Sequence, residues 1–139
     1  MLFGGFLHNV DPKGRVFIPS RFRADLGNRF YVYASFDGCI RGYNEQGWAD
    51  FMEKLSRLPI NANQIQREIC QSTAELEMDV QGRVLLPEEL RKHADITEKA
   101  QIIGMGEWLE FWNPGQSESL KSAMTNEEIM SHLASVGIR

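Results

Sequence analysis

Thirteen residues of this chain are written twice. Asp11 to Arg23 reads DPKGRVFIPSRFR, and Asp79 to Arg91 reads DVQGRVLLPEELR. Six of the thirteen positions are identical: Asp, Gly, Arg, Val, Pro and the final Arg. Three more exchange one large apolar residue for another, Phe17 for Leu85, Ile18 for Leu86 and Phe22 for Leu90. In a chain of 139 residues such a duplication leaves room for little but two similar halves sharing a core.

The context of each copy repeats as well. FLHNV precedes the first copy as a short strand. AELEM precedes the second, where Ala74, Leu76 and Met78 alternate with Glu75 and Glu77, the period of a half-buried strand. DPKG and DVQG then form tight turns, and RVFIP and RVLLP return as strands, each closed by a proline that cannot donate to a central ladder. A short helix follows each proline. In SRFRADLG, Ser20 is a candidate N-cap and Gly27 a C-terminal stop. In PEELRKHAD, Pro87 stands near the first helical position, with Glu88 and Glu89 at the positive end of the helix and Lys92 and His93 at the negative one.

Each half next carries a hairpin. RFYVYASF and CIRGY flank Asp37-Gly38, a two-residue turn signal, and AQIIGM and EWLEFW flank Gly106. Helices close both halves. NEQGWADFMEKLSRLP places Trp48, Phe51, Met52, Leu55 and Leu58 on one stripe between an Asn44 cap and a Pro59 stop. NANQIQREICQST adds a helix bearing Ile65 and Ile69. NPGQSESLKSAM and TNEEIMSHL follow at the C-terminus, the latter with a capping box from Thr125 to Glu128 ahead of Ile129 and Leu133. The expected architecture is α+β, two βαββα-like units packed together. Residues 1–60 form the first half with its helix, 61–72 a connecting helix, and 73–139 the second half with its C-terminal helices.

The turns explain four of the repeated residues. Asp-Pro-Lys-Gly suits a type I turn, whose Asp accepts from the backbone two residues on and whose Gly takes a positive φ. Asp11, Gly14, Asp79 and Gly82 are therefore turn residues first, and Pro12 presets φ in the first turn alone. Nothing in the turn requires the arginine that follows. Arg15 and Arg83 could pair with Asp11 and Asp79, an exposed contact contributing only ~0.2–1 kcal/mol. A guanidinium beside a rigid turn also suits a phosphate, or guanine O6 and N7. The two roles are compatible, with Asp orienting Arg.

Two copies of D-x-x-G-R-h-x-h-P-x-x-h-R, with h apolar, resemble the MraZ family of bacterial transcriptional regulators, itself similar to a tandem AbrB-type swapped-hairpin fold. The likeness covers essentially the whole chain. It implies two interleaved hairpin units forming an intramolecular pseudo-dimeric β-barrel with packed helices. It also implies a ring-shaped homo-oligomer that binds short direct repeats in promoter DNA of the division and cell-wall gene cluster. The motif arginines, Arg15 and Arg83, would carry DNA contact with Asp11 and Asp79 as companions. Lys13, Arg21 and Arg23 join them as candidates because the basic residues cluster here. The second copy has Gln81, Glu88 and Glu89 where the first has Lys13, Ser20 and Arg21, so the first loop is expected to be the stronger contact.

Charge agrees with this only locally. The chain carries a net −4, yet residues 1–43 hold six Lys or Arg against three Asp, leaving the remainder acidic. A DNA partner would have to meet that basic face. The composition, 42% hydrophobic and 24% charged, is that of a globular protein. No apolar run is long enough to span a bilayer, and the N-terminus lacks the pattern of a signal peptide. Cys39 and Cys70 stand alone, which fits two partly buried thiols in a reducing cytoplasm, near the nucleoid if DNA is the partner.

Two other function classes compete with DNA binding. Duplicated aspartates suit an acid protease, but each Asp is followed four residues later by an Arg that favours the ionised form. His8, His93 and His132 have no ligand spacing, so no metal, cofactor, small-molecule substrate or catalytic residue is expected. The third class is an oligomeric assembly module without sequence-specific DNA binding. Trp108, Leu109, Phe111 and Trp112, with Phe3 and Phe6, would then supply core or subunit contacts.

Overall fold

A computed structural model describes all 139 residues, Met1–Arg139. The eight strands are β1 (Leu2–Asn9), β2 (Arg15–Phe17), β3 (Arg29–Ala34), β4 (Ile40–Asn44), β5 (Ala74–Glu77), β6 (Arg83–Leu85), β7 (Lys99–Gly106) and β8 (Leu109–Trp112). The six helices are α1 (Ser20–Leu26), α2 (Glu45–Leu55), α3 (Asn63–Ser72), α4 (Glu88–Ala94), α5 (Pro114–Lys121) and α6 (Asn126–Ser135). No helix is long and apolar enough to cross a membrane.

Six strands form one antiparallel sheet in the order β1-β7-β8-β4-β3-β5, and β2 pairs with β6 as a separate ribbon. Exchanging β1 with β5, β3 with β7 and β4 with β8 turns this order into its own reverse. The fold is therefore α+β and pseudo-two-fold, with two tandem units interleaved. Each half lends its first strand to the other half's hairpin: β1 lies on β7, and β5 on β3. The ribbon contacts β1 on one side and β5 on the other, closing the curved sheet around its core.

The interleaving changes what the repeated turns connect. β1 and β2 were expected to form a local hairpin, but only the bridge between Val10 and Val16 joins them. Each short return strand is completed by its copy in the other half instead. Three residues are too few for an independent hairpin, and Val16 and Val84 gain a shared interior, each worth roughly 1.5–3 kcal/mol when fully buried. They join Ile18, Phe22, Phe30, Leu86, Leu90, Ile102 and Phe111 in a single core drawn from both halves.

Other local expectations shift. Ser20 is the first helical residue rather than the cap; Pro19 occupies the cap position without a side-chain bond, as Pro87 does before α4. Gly27 ends α1 as expected. The β3–β4 connection runs from Ser35 to Cys39 and is longer than the two-residue turn expected. Ser35 N–H donates to the Cys39 carbonyl, and Gly38 takes φ 98°, the left-handed position of a type I turn with a bulge. The α2 stripe is as predicted: Asn44 caps it through Gly47 N–H, and Trp48, Phe51 and Met52 cover Tyr31, Tyr33 and Tyr43 on the outer sheet face. Ile69 of α3 is buried there, while Ile65 is exposed. Trp112 is buried and Trp108 half-buried, against Glu110. His93 Nε2 lies 2.8 Å from the Ser35 carbonyl and ties α4 to the β3–β4 loop.

Both C-terminal helices form, α6 with the predicted Thr125 cap and α5 with an Asn113 cap that was not foreseen. Asn113 accepts from Gln116 N–H, and Thr125 from Glu128 N–H. Ile129 and Leu133 nevertheless remain exposed, along with Met130 and Val136. Of the thiols, Cys39 is buried and Cys70 exposed, so neither is the partly buried group expected.

Candidate nucleic-acid interface

Both repeated turns adopt the same bond pattern. Gly14 N–H donates to the Asp11 carbonyl at 2.9 Å, and Asp11 Oδ1 accepts from Lys13 N–H at 3.0 Å and Arg15 N–H at 2.8 Å. Asp11 Oδ2 accepts from Arg15 Nε at 2.7 Å. In the second turn Gly82 N–H reaches the Asp79 carbonyl at 3.0 Å. Asp79 Oδ1 takes Gln81 N–H and Arg83 N–H, each at 2.9 Å, and Oδ2 takes Arg83 Nε at 2.9 Å.

Each aspartate thus collects three N–H donors. The Arg15 backbone N–H, then the Arg15 guanidinium and the Lys13 N–H, hold the Asp11 carboxyl below its ordinary value. The Arg83 backbone N–H, then its guanidinium and the Gln81 N–H, do the same for Asp79. A carboxylate that stays ionised keeps its arginine aimed. Because Asp takes only Nε, the two terminal nitrogens of each guanidinium have no acceptor within the chain. That fork is the part able to make two parallel bonds to a phosphate or a guanine edge.

The ribbon sets where the forks lie. Arg15 stands opposite Leu85, Val16 opposite Val84, and Phe17 opposite Arg83. Val16 and Val84 face the core, so the alternation turns Arg15, Leu85, Phe17 and Arg83 outward on one face. The two arginines occupy opposite ends of that face. Their side chains are 35% and 25% exposed, held at the surface rather than sunk among apolar neighbours.

The last arginine of each motif has a different task. Arg23 Nε donates to the Ile18 carbonyl, and its guanidinium packs on Gly82 of the other half. Arg91 Nε donates to the Leu86 carbonyl and packs on Gly14; a Cβ there would lie 2.7 Å from Arg91 Cζ. Backbone bonds run the same way, from Ile18 N–H to the Gly82 carbonyl and from Leu86 N–H to the Gly14 carbonyl, both 2.9 Å. Each loop is therefore braced by the opposite half. Gly14 and Gly82 also take φ 93° and 86°, so two separate constraints demand glycine.

The remaining candidates divide. Lys13 and Pro12 are exposed at the first turn. Arg21 lies with its Cζ 5.6 Å from the centre of the Phe6 ring, against β1 rather than a turn. Arg91 was not singled out from the sequence, although its identity with Arg23 in the repeat was a usable signal. Phe17 and Leu85 were passed over because an alternating strand does not say which element covers its faces.

A second polar cluster lies on the outer face of the sheet. Asp37, Cys39 and Glu110 place donor atoms within 4.8 Å of one another. Arg41 already supplies the positive charge there, 3.0 Å from Asp37 and 3.4 Å from Glu110, and the Trp108 and Trp112 indoles donate to Glu110. Burial pushes the Cys39 thiol up to about 12, away from the thiolate a metal requires. The Arg41 guanidinium already neutralises both carboxylates, although its Nε has no partner, and the arrangement does not suit a second cation.

Comparison with known proteins adds an independent line. The model of one family, MraZ, described as "MraZ protein, putative antitoxin-like", matches twice, over residues 1–68 and 69–135. A protein of Lachnoclostridium phytofermentans named "Transcriptional regulator MraZ" is 37% identical over 140 residues, covering 99% of both chains. Proteins of the same name from Acetivibrio thermocellus and Pelotomaculum thermopropionicum are 36% and 38% identical over 143 residues. These two alignments cover 99% of this chain and 100% and 99% of the respective relatives.

Proposed function

The chain belongs to the MraZ family of transcriptional regulators, and on that premise we propose that it binds duplex DNA in a sequence-specific way through the β2–β6 ribbon and its two turns. One observation carries this reading: two guanidiniums, each pinned by Nε alone, present free forks from the two ends of one outward face. Arg15 and Arg83 read base edges, Lys13 meets phosphate, and Asp11 and Asp79 position the arginines. Arg23 and Arg91 act through the loops they brace. The first loop, with Lys13 beside Arg15, is the stronger contact.

A single ribbon offers few contacts, so a lone protomer binds weakly. Several ribbons on one ring-shaped homo-oligomer, meeting repeated short boxes, gain affinity through effective concentration. The exposed apolar residues of α5 and α6 support assembly of this kind, including Leu120, Ile129, Met130 and Leu133. In this reading residues 1–60 and 73–139, joined by 61–72, form one DNA-binding unit. The target is the promoter of the division and cell-wall gene cluster, and the protein works in the cytoplasm at the nucleoid.

Selection of bound fragments from random duplexes at two salt concentrations tests this. The recovered fragments should share a short repeated box, with affinity falling as salt rises by a slope of about −0.9 per neutralised phosphate. Fragments without a common box, recovered by a protein that still assembles, would favour the assembly module instead.

A further inference from the structure

The outward face of the ribbon is not purely cationic. Between its two arginines stand Phe17 and Leu85, 43% and 54% exposed, on an element of only three residues per strand. Their neighbours in sequence, Val16, Ile18, Val84 and Leu86, are all in the core, so this exposure is not a general looseness of the ribbon. About half of each side chain is left open to solvent. Each lies directly across from an arginine: Leu85 from Arg15, and Phe17 from Arg83, whose Cζ is 5.9 Å from the Phe17 ring centre.

We infer that Phe17 and Leu85 determine base specificity by packing on the C5-methyl group of a thymine next to the guanine engaged by the facing arginine. The inference rests on the DNA-binding reading above and names part of what that site selects. The chemistry follows from the neighbours. Two free guanidinium forks suit a partner that is anionic and carries paired acceptors. On the major-groove edge of such a duplex the one apolar feature is the thymine methyl, and the groove admits a two-stranded ribbon. A solvated apolar side chain beside each arginine then gains a dry contact only where thymine adjoins guanine. The ends differ, because Phe17 offers a broad ring and Leu85 a compact branched group, so thymine discrimination is greater at the Phe17 end.

Deleting the methyl tests this directly. Full-length protein is titrated by fluorescence anisotropy against the tightest duplex recovered by selection, and against copies in which each thymine of one box is replaced in turn by deoxyuridine. Wild-type protein should bind about fourfold more weakly when the contacted methyl is removed. Phe17→Ala and Leu85→Ala should each bind the thymine and uracil duplexes alike at their own position. Phe17→Leu, which installs the residue of the second half, should regain part of the difference. Unchanged melting curves establish that the variants are folded.

Three results would overturn the inference: wild-type binding indifferent to uracil at every position, alanine variants that keep the full loss, or a selected box with no thymine beside a guanine. If wild-type protein prefers its selected box yet ignores uracil, the thymine contact alone is wrong. If it shows no preference among duplexes, the DNA-binding reading fails and this inference falls with it.

Discussion

The guanidinium of Arg23 rests on the backbone of Gly82, 59 residues away in sequence and in the other half of the fold. Arg91 rests on Gly14 in the same manner. The duplicated motif is therefore a mutual brace. Each copy contributes one turn and the arginine that holds the opposite turn.

That brace separates glycines that look alike in sequence. Gly82 and Gly38 both have positive φ, but a Cβ on Gly38 would meet nothing within 4 Å, whereas one on Gly82 would meet the Arg23 guanidinium. Gly38→Ala should cost about 1 kcal/mol from backbone strain. Gly82→Ala should cost roughly 1–3 kcal/mol more from overpacking. Combining it with Arg23→Ala should return part of that excess. Urea unfolding of the single and double variants measures the coupling, and strict additivity would contradict the brace.

Asp11 and Asp79 should titrate below the ordinary 3.8 of an aspartate. A depressed carboxylate contributes stability that is present above the unfolded-state pKa and lost as pH falls through the folded one. The turns should therefore hold at neutral pH and loosen only in acid below about pH 4. The largest contributor is the backbone N–H of the following arginine, which survives a side-chain change. Arg15→Ala should consequently leave the Asp11 midpoint still depressed, as read from its carboxyl carbon by NMR. A return to 3.8 would place the effect in the guanidinium instead.

The two thiols should differ sharply in reactivity. Cys70 is exposed on α3, while Cys39 is buried with its thiol pushed up to about 12. Iodoacetamide at pH 8 should modify Cys70 quickly and leave Cys39 intact until the protein is denatured. Peptide mapping after a short exposure distinguishes them. Equal labelling in the native state would mean that the Cys39 site opens readily.

Glu110 is buried with both oxygens occupied, by the Trp108 indole at 3.0 Å and the Trp112 indole at 2.9 Å, and with Arg41 beside them. Glu110→Ala removes the acceptor from two indoles and one of the two carboxylates beside Arg41, leaving Asp37 as the other. A loss of roughly 1–3 kcal/mol is expected, the usual consequence of leaving buried donors without their acceptor. Glu110→Gln should fall between, since its amide still offers one oxygen. Thermal unfolding of both variants checks the order.

Much of this fold could be read from the residues. The turn chemistry of Asp11 and Gly14, the Asn44 cap and the Trp48–Leu55 stripe are local properties, and local physics placed them correctly. Pairing is a different kind of information. Alternation in AELEM tells which face of β5 is buried but not that Arg29 to Val32 lie beside it, so the crossing of the halves entered only through family likeness. Ser20 resembled a cap because hydroxyls commonly are one, yet the proline before it already occupied the position. Arg23 was expected among the DNA contacts and Arg91 had no assigned role, because nothing local reveals that a glycine of the other half leaves room for a guanidinium. The outward Phe17 and Leu85 were hidden by the same gap, since a strand's second face has no meaning until its cover is known.

The most direct test of the account is the affinity of Arg15→Ala, Arg83→Ala and the double variant for the selected duplex at physiological salt, measured beside their melting temperatures. Each exposed ion pair is worth little to folding, so stability should change by less than about 1 kcal/mol. Binding should weaken by roughly 1–3 kcal/mol per engaged loop, more for Arg15 than for Arg83. A double variant that melts like the wild type and holds the duplex equally tightly would contradict the claim that these two guanidiniums grip DNA.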